Sequence, residues 1–123
     1  MVSVPAFLLR RLYVKGSLRN SGTGFEFELR NRLGSGYAYG LRPLTVDGEE
    51  IDSDNTFFEL ESERTAFSEV SRDRTFTLAM NRTIKIDVVG VSLDDGPRKI
   101  GMAFDVPGLG ALRFDFTDVV GSD

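Results

Sequence analysis

From Phe25 onward the apolar residues of this chain recur at every second position, and that period of two constrains the fold more than any other feature. Successive side chains of an extended strand point to opposite faces, so such alternation marks a strand with one dry and one wet side. Phe25, Phe27 and Leu29 alternate with Glu26, Glu28 and Arg30. Ile84, Ile86 and Val88 alternate with Thr83, Lys85 and Asp87. Ile100, Met102, Phe104 and Val106 alternate with Lys99, Gly101, Ala103 and Asp105, and Leu112, Phe114 and Phe116 with Arg113, Asp115 and Thr117. Shorter runs read the same way: Leu12, Val14 and Leu18; Tyr37, Tyr39 and Leu41; Phe58 and Leu60; Phe76, Leu78 and Met80. After Pro43 the parity changes, with Leu44 and Val46 apolar, which predicts a bulge or an edge strand there.

Turn chemistry separates these runs. Residues 20–24 contain Asn20, Gly22 and Gly24, which tolerate positive φ. Asp47-Gly48 between Val46 and Ile51 is a hairpin signal. Asn81-Arg82, Asp94-Asp95-Gly96-Pro97 and Pro107-Gly108-Leu109-Gly110 supply further turns. Only residues 66–70 suggest a helical turn. The expected fold is therefore all-β, an antiparallel β-sandwich of about eight or nine strands. A single domain should cover residues 1–123, with Phe25, Phe27, Leu29, Ile84, Ile86, Phe104, Phe114 and Phe116 in its core. The 41% hydrophobic content and ten Phe are sufficient for such a core.

Composition narrows the chemistry. The chain has no His and no Cys. Histidine is the usual proton shuttle near neutral pH, and zinc sites draw on nitrogen and sulfur ligands. Ser-His-Asp and Cys-His arrangements are impossible here. No glycine-rich phosphate-loop pattern is present. Asp52, Asp54 and Asn55 lack the spacing of a calcium loop. Glu26, Glu28, Glu59 and Glu61 alternate with core residues, so they belong to solvated sheet faces rather than to a hydrolase pair. The expectation is no catalytic residue, no cofactor and no metal in the isolated chain. A net charge of −4 with interspersed signs argues against nucleic acid. No apolar run reaches membrane-spanning length, and residues 1–13 do not read as a leader, so the expected location is the cytoplasm.

Two surface features remain. Of the basic residues 12 are Arg and 3 are Lys, and Arg10, Arg11, Arg19, Arg30, Arg32 and Arg42 gather in the first third. Arg forks suit carboxylates and protein interfaces. Residues 1–9 are the second feature: Val2, Val4, Phe7, Leu8 and Leu9 precede the first alternating run, with Pro5 among them. They are read either as cover for the chain's own core or as a docking segment. The candidate partner-binding set is Phe7, Leu8, Leu9, Arg10, Arg11, Arg30, Arg32 and Arg42.

One family resemblance sharpens this. The segment Arg11-Leu12-Tyr13-Val14-Lys15-Gly16-Ser17-Leu18-Arg19-Asn20, then Gly24-Phe25-Glu26-Phe27-Glu28-Leu29-Arg30-Asn31, resembles the opening of the C-glycoside deglycosidase β-subunit domain family. Val46-Asp47-Gly48-Glu49-Glu50-Ile51 and the hairpin of residues 93–100 resemble it too. The resemblance implies a small partner subunit that assembles with a larger, metal-dependent, TIM-barrel sugar-processing subunit. Arg98 stands where that family's late hairpin is expected to carry His, so no catalytic residue carries over. Three functions are thus expected to compete. They are a non-catalytic partner subunit of that kind, a stand-alone binding or structural domain, either a homo-oligomer or a carbohydrate binder, and a carboxylate hydrolase as the weakest reading. The implied partner is a larger catalytic protein or a second copy of the chain.

Overall fold

The computed structural model describes residues 4–121. A four-residue helix, α1 (Ala6–Leu9), runs into a 3-10 turn at Arg10–Leu12. The strands that follow are β1 (Arg19–Ser21), β2 (Gly24–Arg30), β3 (Gly36–Ala38), β4 (Gly40–Leu41), β5 (Thr45–Val46) and β6 (Glu49–Glu50). Then come β7 (Thr56–Leu60), β8 (Glu63–Ala66), β9 (Phe76–Leu78), β10 (Thr83–Val88), β11 (Pro97–Val106) and β12 (Gly110–Val119). One sheet has the order β1-β2-β10-β7-β8. The other runs β12-β11-β5-β6, with β4 also pairing β11, and β3 and β9 form a separate ribbon. All the named strand pairs are antiparallel. The fold is the expected all-β sandwich, its strands cut into more and shorter pieces than the alternation suggested.

The dry faces meet in one core. Phe25, Phe27, Leu29, Ile84, Ile86, Phe104, Phe114 and Phe116 are all buried, as the alternation required. Their rings pack edge to face, Phe27 on Phe116 at 5.2 Å and Phe58 on Phe76 at 4.9 Å, the arrangement that aromatic quadrupoles favour. The bulge predicted at Pro43 is present. Leu41 opposes Phe104 while Thr45 opposes Gly101, so the chain through Pro43 carries one residue more than the facing stretch of β11.

Three local expectations fail. The run at Leu12, Val14 and Leu18 is not a regular strand. Leu9 and Leu12 lie three apart on a helical turn and both enter the core, and Tyr13 makes only an isolated bridge to Leu29. In β3 the facing is reversed, with Ala38 buried against β9 and Tyr37 49% exposed. Met80 lies outside the core at 47% exposure, because β9 ends at Leu78.

Candidate functional site

The bulge at Pro43 and the small residues of β11 together hollow out the outer face of the second sheet. Along β11 the inward side chains are Ile100, Met102 and Phe104, which leaves Gly101 and Ala103 to form the outer surface. A Cβ at Gly101 would run into the hydroxyl of Thr45 on the paired strand, which would have to turn away to admit it, so glycine keeps the floor low there. The result is an open trough of about 1100 Å³. Ala6 of α1 lines it at one side, the loop carrying Arg42, Pro43, Thr45, Asp47, Gly48 and Glu50 at another, and β12 contributes Arg113, Phe114 and Asp115.

Ion pairs brace its rim. Arg42 pairs with Asp105 at 3.0 Å. Arg10 donates from Nε to the Asp115 carbonyl at 2.6 Å and faces the Asp115 carboxylate at 3.6 Å, tying the end of α1 to β12. Lys99 lies 3.9 Å from the same carboxylate. Such exposed pairs contribute little stability, at most about 1 kcal/mol each, so their effect is to hold the rim's charges in place. Arg113 stands opposite Ala103 across the ladder and has no ion pair among the described residues.

Asp47 anchors the far end. It and Gly48 adopt positive φ, 50° and 90°, at the tip of the β5–β6 hairpin. Its carboxylate accepts from the Lys99 N–H at 3.0 Å and from Arg98 at 3.2 Å. Those two donors hold the carboxyl below the usual Asp range. Arg98 also donates to the carbonyls of Asp94 and Asp95, so it fastens the turn before β11 to the hairpin. The residue that replaces the expected His is thus a turn clamp.

The proposed partner-binding residues separate. Phe7 is 65% exposed beside the trough-lining Ala6, Leu8 is half-buried, and Leu9 is 4% exposed and belongs to the core. Val4 also packs on the core, and Val2 lies outside the described residues. Arg10 and Arg42 reach the trough. Arg11, Arg30 and Arg32 go elsewhere, into a pocket of about 190 Å³ that they share with Tyr13, Val14 and Lys15. Arg19 pairs with Glu26 at 2.8 Å. Glu26, expected on a solvated face, is in fact 6% exposed. Burial opposes its ionisation, but the bond from Arg19 outweighs that and lowers its pKa. Gly101, Ala103 and Arg113 were missed as site residues. Their alternation was read for the core they flank and not for the surface they form.

The outer face of the first sheet is an ion-pair lattice. Arg64 pairs with Asp87 and Glu59, Lys85 bonds Glu59 at 3.1 Å, and Arg64 lies over the Phe57 ring. The Glu59 bond raises the Lys85 pKa. Among the described residues no group of three or more His, Cys, Asp or Glu is placed to hold a metal ion. No helix there is long and apolar enough to cross a membrane.

The family model for the hydroxymethylglutaryl-CoA reductase, N-terminal domain, matches residues 8–121, nearly the whole chain. The chain belongs to that family. Comparison with curated proteins gives no match. Membership of the reductase N-terminal domain family overturns the resemblance to the C-glycoside deglycosidase β subunit, and with it the expected role as that enzyme's partner subunit. The physical reason lies in what carried the likeness. Asp47-Gly48 is what any tight two-residue hairpin with positive φ at both positions requires. The alternation from Phe25 to Leu29 is what any half-buried strand requires. Both report a β-sandwich and neither reports a family.

Proposed function

We propose that the chain is a non-catalytic binding domain that works by associating with a second copy of itself across the trough. The trough's shape and charge carry this reading. Gly101 and Ala103 leave a floor that a protruding side chain can reach, and Phe7, next in sequence to the trough-lining Ala6, is exposed. The lining holds Arg42, Lys99 and Arg113 together with Asp47, Glu50, Asp105 and Asp115. A face bearing both signs is able to complement itself about a two-fold axis, and Arg113 and Glu50 on it have no ion pair among the described residues to compete with the other copy. Nucleic acid would call for one sign only.

The non-catalytic half of the reading is supported by the absence of His and Cys from the sequence. The test is sedimentation velocity over a wide concentration range, on wild type, Ala103→Arg and Phe7→Asp. Concentration-dependent dimerisation that both substitutions weaken is expected. A monomer at every concentration would reject the second copy as occupant. Reduction of hydroxymethylglutaryl-CoA by the purified chain, given a nicotinamide hydride donor, would reject the non-catalytic reading.

A further inference from the structure

Nine of the fifteen basic residues sit in ion pairs among the described residues. Of the other six, Arg72 lies over the Tyr39 ring and Arg113 faces the trough. The remaining four, Arg11, Lys15, Arg30 and Arg32, all line the pocket of about 190 Å³, and among the described residues no carboxylate lines it with them. The chain converges there for a local reason. The 3-10 turn at Arg10–Leu12 and the pairing of Tyr13 and Val14 with Leu29 and Glu28 lay residues 11–15 along the end of β2.

Asp118, whose charge acts on Lys15, is already engaged by Tyr13 and Gly16. Glu28, the preceding outward residue of β2, stands opposite Lys85. The Arg30 Nε is buried and has no hydrogen-bond partner among the described residues. Buried polar atoms are nearly always paired, and an orphan one calls for an explanation. Four like charges around a concavity with an unmet donor make a positive potential there that an anion would relieve.

We infer that this pocket binds a phosphate-type oxyanion. Its volume is several times the roughly 30 Å³ share of a liquid water, enough for a phosphoryl group with room beyond. Guanidinium forks match tetrahedral oxyanions with paired, charge-assisted bonds. A phosphate monoester carries a charge near −2 at neutral pH, against −1 for a carboxylate, so four cations favour the phosphate.

The test is calorimetric titration of the full chain at low salt with inorganic phosphate and pyrophosphate. Chloride at matched ionic strength is the control, and citrate is a carboxylate arm. Saturable binding at a single site is expected, with a shift of the Arg30 Nε resonance. The double variant Arg11→Gln/Arg32→Gln, at exposed positions that leave the fold intact, should weaken binding at least about tenfold. Arg113→Gln, outside the pocket, should bind as wild type does. Absence of saturable binding, or equal weakening by Arg113→Gln, would overturn the inference. Citrate binding as tightly as pyrophosphate would overturn the phosphate assignment.

Discussion

The ring of Tyr13 lies flat on that of Phe116, centroids 3.6 Å apart and planes 9° from parallel. Its hydroxyl donates to Asp118 at 2.7 Å and accepts from the Leu18 N–H at 3.2 Å. One side chain therefore joins the irregular N-terminal segment to the last strand, over a sequence separation of about a hundred residues. Replacing Tyr13 by Phe keeps the stack and removes the hydroxyl, and should cost about 1 kcal/mol. Phe116→Ala should cost about 3–5 kcal/mol, since it opens a cavity under both Tyr13 and Phe27. Urea midpoints measure both. An unchanged midpoint for Tyr13→Phe would show that the hydroxyl bond contributes no stability.

The same pair sets an alkaline and an acid response. Burial, reinforced by the bond to Asp118, pushes the Tyr13 phenol from 10.0 up to about 12. The fold favours the neutral phenol, so this contribution is complete below pH 10 and is lost as pH rises from there through 12. Asp118 shifts the other way. Burial alone would raise its pKa, but donation from Tyr13, Gly16 and Val119 outweighs that and holds it below 3.8. Its contribution is present above that value and is lost as pH falls through the lower folded-state value. Between pH 10 and 12 wild type should lose its stability advantage over Tyr13→Phe. A constant difference across that range would contradict the assignment.

The N-terminal segment should divide energetically as it divides in space. Leu9→Ala should cost about 2–5 kcal/mol, because Leu9 is buried. Phe7→Ala, at an exposed position, should stay within about 0.5 kcal/mol. Phe27→Ala is a reference for a fully buried ring, at about 3–5 kcal/mol. Thermal melts of the three variants decide this, and equal losses at Phe7 and Leu9 would contradict the division.

How far the sequence revealed this molecule depended on the length of each run. In β2, β10, β11 and β12 the alternation runs over six to eight consecutive residues, and one dry face is enough to assign the core side chains, although Glu26 on the other face of β2 is buried as well. In β3 three residues leave the facing open, and pairing with β9 settles it by placing Ala38 opposite Phe76. Near the N-terminus Leu9 and Leu12 carried a spacing of three, but Leu12 and Val14 imitated a spacing of two. The basic cluster was legible as composition and not as geometry. Whether Arg10 and Arg11 share a surface depends on the turn between them, and that Arg32 meets Lys15 depends on how residues 11–15 dock beside β2. Lys15 went unnoticed because it is a lone Lys in a run read as strand.

The proposed interface across the trough floored by Gly101 and Ala103 is tested most directly by sedimentation equilibrium of wild type beside Ala103→Arg. Ala103 sits on the outer face opposite Arg113, so the longer side chain fills the trough without entering the core. Wild type should dimerise as concentration rises, and Ala103→Arg should remain monomeric with an unchanged melting temperature. Identical association by the two proteins would contradict it.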